Sequence, residues 1–254
     1  MIIDLHSHIL PGMDDGAASM EDALEMARMA VDAGTEIIAA TVHGDFSRGL
    51  LRRLGWKRYM ERYGSRLAEF RLELKRKQIP LEVMEGMEIL VNKDLFRFID
   101  ETEEEGLPSL NGGGSILVEF EFDVSGTSLM DSLERLMQKK RKIVLAHPER
   151  YDCVKRDSAI LYALYDKGII LQVNKGSLAG DFGQRAYRRA DLMLREGIAG
   201  IVASDAHDPV LRTPELDETA DLLNLYYGHD AAEILLKRNP RRVLEVTDPG
   251  GVWR

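Results

Sequence analysis

Short apolar runs recur along the chain, and each is bounded by turn residues and separated from the next by a longer, more polar stretch. Seven of these runs are strand-sized, at residues 2–5, 36–41, 81–87, 116–121, 143–146, 169–173 and 200–203. Strand-sized apolar runs that alternate with helix-sized segments are typical of a parallel sheet covered by helices. The pattern therefore predicts an α/β fold built from seven βα units.

The segments between the runs carry the three-four spacing of amphipathic helices. The first predicted helix has one apolar face, made of Met20, Leu24, Ala27 and Val31. Ser19 is suited to cap the first turn of this helix, and Gly34 is suited to end it. A longer helix is predicted over 59–74, and further helices over 129–140, 159–166, 186–196 and 214–227.

Length and composition fit a single globular domain. The chain has 254 residues, of which 44% are hydrophobic and 30% charged, and it contains no low-complexity stretch or fixed-length repeat. A chain of this size buries one sizeable core, and no linker divides it. We predict one domain over 1–247 and a short tail over 248–254, where Gly250 and Gly251 are typical of a loose end.

Charge, cysteine content and apolar run length argue against several classes of protein. The net charge of −9 disfavours a general nucleic-acid binder, because phosphate backbones attract basic faces. No apolar run approaches the roughly 20 residues that a membrane span needs. The amino terminus lacks a basic region followed by an apolar stretch, and the single Cys153 cannot form an internal disulfide. We therefore expect a cytoplasmic protein.

Side chains that commonly bind metals follow six of the seven apolar runs, where the carboxyl ends of parallel strands gather. They are His6, His8, His43, Glu88, Glu119, His147, Asp205 and His207. Five of the six histidines of the chain stand at these ends, and only His229 lies elsewhere. One such histidine by itself is more often structural than a ligand, but the shared position of the set predicts a metal centre.

The spacing and chemistry of these residues indicate which metals they suit. His6 and His8, and likewise Asp205 and His207, are two residues apart, which puts each pair on one side of an extended segment. Imidazole and carboxylate without thiolate favour manganese, iron or zinc over copper(I) or an iron–sulfur cluster. A single catalytic zinc normally takes only three protein ligands, so the larger number of candidate ligands predicts two or three divalent ions.

Six short motifs stand out along the chain. The first is HSHILPGMDDG at 6–16, and the others are GMEI at 86–89, LVEF at 117–120, AHPERY at 146–151, QVNKGSLAG at 172–180 and ASDAH at 203–207. In these motifs the chain resembles the PHP superfamily, and within it the bacterial tyrosine-protein phosphatases of the capsule and exopolysaccharide biosynthesis group. The matches span essentially the whole chain. The resemblance implies a distorted (β/α)7 barrel, the PHP fold, in agreement with the seven runs.

The resemblance also implies a three-metal site. One ion would be held by His6, His8, Glu88 and Asp205, a second by Glu88, Glu119 and His147, and a third by Asp15, His43 and His207. Asp15 is preferred to Asp14 because the corresponding ligand in the family commonly precedes glycine, and Asp14 is the alternative. Manganese is the favoured metal, with iron or zinc as alternatives.

The activity that the resemblance implies is metal-dependent hydrolysis of phosphotyrosine, on a bacterial tyrosine kinase or its targets in capsule and exopolysaccharide synthesis. A metal-bridging hydroxide is the expected nucleophile, since metal coordination can bring the pKa of water down to about 7. Arg150, three residues after His147, is placed to hold phosphate oxygens by a bidentate contact, with an ion pair to Glu149 as the alternative. Asn174 and Arg212 are further candidates for substrate contact.

Other chemistries and substrates fit the sequence less well. A cysteine-based phosphatase is excluded because Ala159, not arginine, stands six positions after Cys153. Glu121 stands where the group frequently has proline, and it would repel a phosphate dianion unless it faces solvent or binds a basic group on the substrate. The segment TVHG at 41–44 also lacks a proline and a second basic residue that are frequent in the group. The alternative functions are a small-molecule phosphatase similar to histidinol-phosphate phosphatase and a metal-containing regulatory module without turnover.

Overall fold

Seven parallel strands form one sheet in the order of the chain. The computed structural model describes residues 1–102, 107–138 and 141–245. The strands are β1 (Ile2–Ser7), β2 (Thr35–Gly44), β3 (Glu82–Leu90), β4 (Ser115–Glu119), β5 (Lys142–Ala146), β6 (Ile170–Asn174) and β7 (Ala199–Ala203). Each strand pairs in parallel with the next one along the chain. All seven predicted strands are confirmed, and the fold is the predicted distorted (β/α)7 barrel.

The barrel closes where the segment after β7 meets the end of β1. Ser7 forms an isolated parallel bridge with Ala206. The His8 N–H donates to the Ala206 carbonyl at 2.8 Å, and the Asp205 N–H donates to the His6 carbonyl at 2.8 Å. These contacts place candidate ligands from the first and last strands side by side.

Helices occupy most of the connections between the strands. They are α1 (Met20–Asp32), α2 (Gly49–Leu54), α3 (Trp56–Arg76), α4 (Lys93–Glu101), α5 (Gly126–Met137), α6 (Asp152–Arg156), α7 (Ala159–Asp166), α8 (Lys175–Ala179), α9 (Gln184–Arg195), α10 (Asp217–Tyr227), α11 (Ala231–Glu233) and α12 (Asn239–Leu244). The six predicted helices are confirmed, although α10 begins at Asp217 instead of 214. The shorter helices were not predicted, because segments such as α2, with 6 residues, carry too little periodic signal.

The first helix shows how the sequence directs these elements. The Ser19 hydroxyl accepts a hydrogen bond from the Asp22 N–H at 3.1 Å, and the Asp22 carboxylate accepts one from the Ser19 N–H at 3.0 Å. This reciprocal arrangement is a capping box. Gly34, just beyond the helix, has a φ of +84°, which glycine adopts without a steric penalty. Both the predicted cap and the predicted stop are confirmed.

Two apolar layers lie on either side of the sheet. The inner layer fills the barrel, and its members include Ile3, Leu5, Leu117, Val144, Ile201 and, from outside the strands, Leu110, Val243 and Leu244. The outer layer packs strand residues such as Leu145 against helix residues such as Leu133. Because apolar side chains fill the barrel interior, its polar side chains collect at the carboxyl ends of the strands, as in other βα barrels.

Two predictions fall wholly or partly outside the described residues. The tail over 248–254 lies there entirely, and so do the last two residues of the helix predicted over 129–140. The described part of that helix is α5, which ends at Met137. Among the described residues, no helix is long and apolar enough to cross a membrane. The assignment of 1–247 to one domain remains a prediction.

Candidate active site

An irregularity in β1 brings His6 and His8 into the mouth of the barrel. Ile3 and Leu5 belong to the inner apolar layer, and the register between β1 and β2 then shifts before Ser7. A bulge of this kind redirects the side chains that follow it. After the shift, His6 and His8 are both fully buried, with their Nε2 atoms 3.3 Å apart.

Glu88, on β3, lies at the centre of a group of imidazole rings. Its carboxylate oxygens lie 2.9 Å from His147 Nε2, 3.1 Å from His43 Nδ1, 3.2 Å from His6 Nε2 and 3.3 Å from His8 Nε2. Burial by itself would raise the pKa of Glu88, but the charge of His6 and the hydrogen bonds from His147 and His43 hold that pKa well below its usual range. Four histidines that are candidate ligands therefore lie around this one carboxylate.

Asp205 and His207 enter the same group from the segment after β7. Asp205 Oδ1 lies 3.3 Å from His6 Nε2 and 3.5 Å from His8 Nε2. Asp205 has a φ of +52°, a left-handed conformation that is uncommon for residues other than glycine. The His207 ring lies 3.9 Å from the His8 ring between centroids. Burial and the nearby charge of His8 lower the pKa of His207 to about 3.

The adjacent residues Asp14 and Asp15 occupy different positions at the site. Asp15 Oδ1 lies 3.3 Å from His43 Nε2 and 3.8 Å from His207 Nε2, and the Asp15 side chain is 70% exposed. Asp14 instead lies behind the rings, where it accepts hydrogen bonds from His8 Nδ1 at 2.7 Å and from the His43 N–H at 2.8 Å. Asp15 therefore faces the open side of the cluster, and Asp14 contacts the far nitrogen of His8.

All nine predicted ligands are brought together at the mouth of the barrel. Within the described ranges, ligand atoms that lie within 4.8 Å of one another form four groups: His8, Asp15, His43 and His207; His6, His147 and Asp205; His6, His8 and Glu88; and His43, Glu88 and Glu119. Asp14 belongs to none of these groups. The division into three ions that the family resemblance implies overlaps with these groups but is not identical to them. His229 is fully exposed beside Asp230, apart from the cluster.

The donor set fits divalent cations. It contains only imidazole nitrogens and carboxylate oxygens, the ligands that suit manganese, iron and zinc. Burial and, to a smaller extent, the nearby negative charge of Glu88 raise the pKa of Glu119. A cation between the carboxylates would offset their negative charge.

Arginine side chains lie against the cluster. Arg150 Nη1 donates to Asp205 Oδ2 at 3.2 Å, and Arg212 Nη2 donates to the same oxygen. The alternative ion pair between Arg150 and Glu149 is not formed. Glu149 is buried on the other side of the turn, where it accepts from the Asn174 N–H at 2.9 Å.

Both arginines line a small cavity at the mouth of the barrel. The cavity has a volume of about 210 Å³, and its walls also include His43, Glu88, His147 and His207. Asn174 is buried behind Asp205, to which its Nδ2 atom donates, and it does not line this cavity. The arrangement thus combines a set of metal-ligand groups with two cations that can contact an anionic substrate.

One protein family matches the chain along nearly its whole length. The family model for capsular polysaccharide synthesis, CpsB/CapC, matches residues 2–245. The chain belongs to this family. It is 32% identical over 243 residues to the tyrosine-protein phosphatase YwqE of Bacillus subtilis (strain 168), with 93% of this chain and 92% of YwqE covered. It is 27% identical over 251 residues to the tyrosine-protein phosphatase CpsB of Streptococcus pneumoniae, with 96% of this chain and 98% of CpsB covered.

A solved structure agrees with this CpsB/CapC membership. The crystal structures of YwqE from Bacillus subtilis and CpsB from Streptococcus pneumoniae are described as those of unique metal-dependent tyrosine phosphatases. One chain from that work matches with a TM-score of 0.83 and 30% identity, covering 100% of this chain and 97% of the other. The predicted resemblance is confirmed, and with it the predicted enzyme class, a hydrolase of phosphoric monoesters.

Two side chains hold the rings of this CpsB/CapC site in a role that was not predicted: Gln172 was not predicted as a site residue, and Asp14 was predicted only as the alternative metal ligand to Asp15. Gln172 Oε1 lies 2.9 Å from His6 Nδ1, and Asp14 holds His8 in the same way. Contacts of this kind fix the orientation of a metal-binding ring. Gln172 could have been found from the sequence, because it is a polar residue within the otherwise apolar run at 169–173.

Glu121 lies at the rim of the cavity and has a basic partner within the protein. Its carboxylate accepts from Arg48 Nη2 at 2.9 Å, and both side chains are largely exposed. Of the alternatives predicted for Glu121, the structure agrees with exposure to solvent, whereas the pairing with Arg48 within the protein was not predicted. Arg48 offsets the repulsion that an unpaired Glu121 would exert on a phosphate dianion.

Proposed function

We propose that this CpsB/CapC protein hydrolyses phosphotyrosine on a protein substrate, with two or three divalent ions held by the nine clustered ligands. The observation that carries the proposal is the cavity of about 210 Å³, in which seven of these ligands, all except His6 and His8, meet Arg150 and Arg212. Manganese is the metal we assign first, and iron or zinc would also suit nitrogen and oxygen donors.

The residues that would hold the ions are His6, His8, Asp15, His43, Glu88, Glu119, His147, Asp205 and His207. Bound divalent ions supply Lewis acidity and activate the attacking water in phosphatases of this general type. Arg150 and Arg212 would hold the phosphate oxygens and stabilise the negative charge of the transition state. Asn174, which contacts Asp205, would act on substrate binding through that carboxylate.

The leaving group makes phosphotyrosine a suitable substrate. Tyrosine has a pKa of about 10, so phenolate departs more readily than the alkoxide of serine. No protein side chain is then required as a strong acid. The cavity walls also include the apolar residues Leu90, Phe120 and Phe122, which suit an aromatic substrate better than a fully polar one.

The physiological substrate we propose is a bacterial tyrosine kinase, or a target of such a kinase, in capsule or exopolysaccharide synthesis. The name of the matching family and the relatives named tyrosine-protein phosphatases support this proposal. We propose the cytoplasm as the location, because Cys153, the one cysteine of the chain, is buried and free. We treat residues 1–247 as a single phosphatase domain.

The test is phosphate release from a phosphotyrosine peptide by purified protein, measured with added manganese, without it, and with a chelator. We expect manganese-dependent release that the chelator abolishes. A phosphoserine peptide of the same sequence and histidinol phosphate are the comparison substrates, and we expect the phosphotyrosine peptide to be preferred. Preference for histidinol phosphate would support the small-molecule alternative. A folded, metal-containing protein that releases no phosphate from any of the three would support the regulatory module.

A further inference from the structure

The guanidinium of Arg150 lies over two phenyl rings. Its Cζ atom is 4.5 Å from the centroid of the Phe122 ring and 4.0 Å from the centroid of the Phe182 ring. Phe122 follows β4, and Phe182 stands in the turn between α8 and α9. Cation–π attraction operates at these distances, and arginine stacks on aromatic faces more readily than lysine does.

Phe182 is held in place by its surroundings before any substrate binds. The turn that carries it is closed by hydrogen bonds from the Asp181 N–H to the Gly176 carbonyl and from the Gly183 N–H to the Gly180 carbonyl, both 2.9 Å. Gly176 leaves room for the ring, because a Cβ atom at that position would lie 2.8 Å from Phe182 Cε2. The position of the ring therefore depends on a glycine that the strand-to-helix turn supplies.

The ion pair of Arg150 is not sufficient to fix its orientation. Asp205 Oδ2 accepts from Arg150, Arg212 and Asn174, so three donors compete for one oxygen. Asp205 is also one of the proposed metal ligands, which commits part of its charge elsewhere. The hydrogen bond to Asp205 still allows the guanidinium of Arg150 to rotate and shift, and stacking against the two rings limits these movements.

We propose that Phe122 and Phe182 form an aromatic clamp that positions Arg150 for the phosphoryl group, and that Phe122 also contacts the phenyl ring of the substrate. The second part rests on the proposed phosphotyrosine phosphatase function. Phe122 lines the active-site cavity and is 43% exposed, so part of its ring is free for a substrate. Phe182 does not line the cavity, and it acts mainly through Arg150 as a positioning residue, because Arg212 Cζ lies farther from its ring centroid, at 6.0 Å.

Binding measurements on the zinc-loaded protein separate the two roles. Inorganic phosphate tests the arginine contact, and phenylphosphonate adds an aromatic ring to the same anionic group. Phe182→Leu should weaken the binding of both ligands equally, by about tenfold, which corresponds to the loss of one partly desolvated cation–π contact. Phe122→Leu should weaken the binding of phenylphosphonate about three- to tenfold more than it weakens the binding of inorganic phosphate. This difference is the effect expected for the loss of an aromatic pair.

The matched control is Phe96→Leu. Arg135 lies over the Phe96 ring with its Cζ atom 4.2 Å from the centroid, and neither residue lines the active-site cavity. This variant removes a similar cation–π contact elsewhere on the protein, and we expect no change in the binding of either ligand. An equal loss in Phe96→Leu and Phe182→Leu would mean that the effect is general destabilisation, and it would overturn the clamp.

A spectroscopic readout tests the clamp independently of turnover. The Arg150 side-chain N–H signal, identified by its absence in Arg150→Lys, should show a ring-current shift in the zinc-loaded protein. Phe182→Leu should reduce that shift, and Gly176→Ala should change it by displacing the Phe182 ring. An unchanged shift and unchanged phosphate binding in Phe182→Leu would refute the clamp even in an active phosphatase. If the ring-current shift of Arg150 responds as expected but the protein does not hydrolyse phosphotyrosine, the result would support the clamp and refute the proposed function.

Discussion

Glu88 is the carboxylate on which metal binding should depend most. It is 1% exposed, and its two oxygens lie within 3.3 Å of four histidine nitrogens that belong to four different rings. Glu88→Gln keeps the shape of the side chain and removes its charge. We expect this variant to lose both metal and phosphatase activity.

The magnitude follows from the contacts that the charge supports. A hydrogen bond or ligand contact to a charged group contributes about 1.5–3 kcal/mol, which corresponds to a change of about 10- to 150-fold in an equilibrium constant. Glu88 belongs to two of the four groups of candidate ligands, so a loss of this size should apply to more than one ion. Metal binding at micromolar free metal should then be largely lost.

The assay is metal content after dialysis against a buffered free-metal concentration, together with phosphate release at the same concentration. Glu121→Gln is the matched control, because Glu121 is an exposed glutamate of the same rim, paired with Arg48 and absent from the ligand groups. The control should keep its full metal content. Wild-type metal content and wild-type activity in a folded Glu88→Gln protein would refute the assignment of Glu88 as a shared ligand.

Three further predictions concern the arginine site, the metals and the fold. Arg150→Ala should keep its metal and lose about 100- to 1,000-fold in kcat, the usual effect of removing one transition-state contact, whereas Arg97→Ala, on the exposed face of α4, should match the wild type. Equal kcat values would contradict the role of Arg150. Removing the metals with a chelator should lower the unfolding temperature by about 5–10 °C, as expected for loss of a ligand present at 100 times its Kd, and added manganese should restore it. An unchanged unfolding temperature would show that the cluster does not hold metal. Ser19→Ala should reduce the free energy of unfolding in urea by about 1 kcal/mol through loss of the helix cap. Ser65→Ala, which removes only a hydroxyl bonded back to the Glu61 carbonyl within a helix, should change the same free energy by less than about 0.5 kcal/mol, and equal effects would contradict the capping argument.

The fold and the set of clustered residues could be predicted from the sequence because both depend on local patterns. Apolar runs of strand length specified the seven strands, and parallel strands bring their carboxyl ends to one edge. Any polar residue that directly follows such a run must therefore lie near the others. His6, His43 and His147 come from three different strands and still lie within 3.2 Å of one carboxylate. Very short helices such as α2 were missed, since six residues carry little periodic signal.

The choice between neighbouring residues was decided only by the tertiary structure. Asp14 and Asp15 are equivalent in chemistry, and their separate positions depend on how the loop after β1 crosses the barrel mouth. Arg150 contacts Asp205 rather than Glu149, in a turn at Pro148–Arg150 that begins with His147 in a left-handed conformation, with a φ of +34°.

The aromatic surroundings of Arg150 depend on the tertiary structure in the same way. Phe122 and Phe182 are 60 residues apart along the chain, and no local pattern relates either ring to the arginine. Hydrophobic periodicity thus determines the seven strands and the longer helices, and with them the end of the barrel at which the polar residues meet. The strand register and the turn conformations, which depend on contacts between distant residues, determine which of those residues touch and which charges and rings become partners.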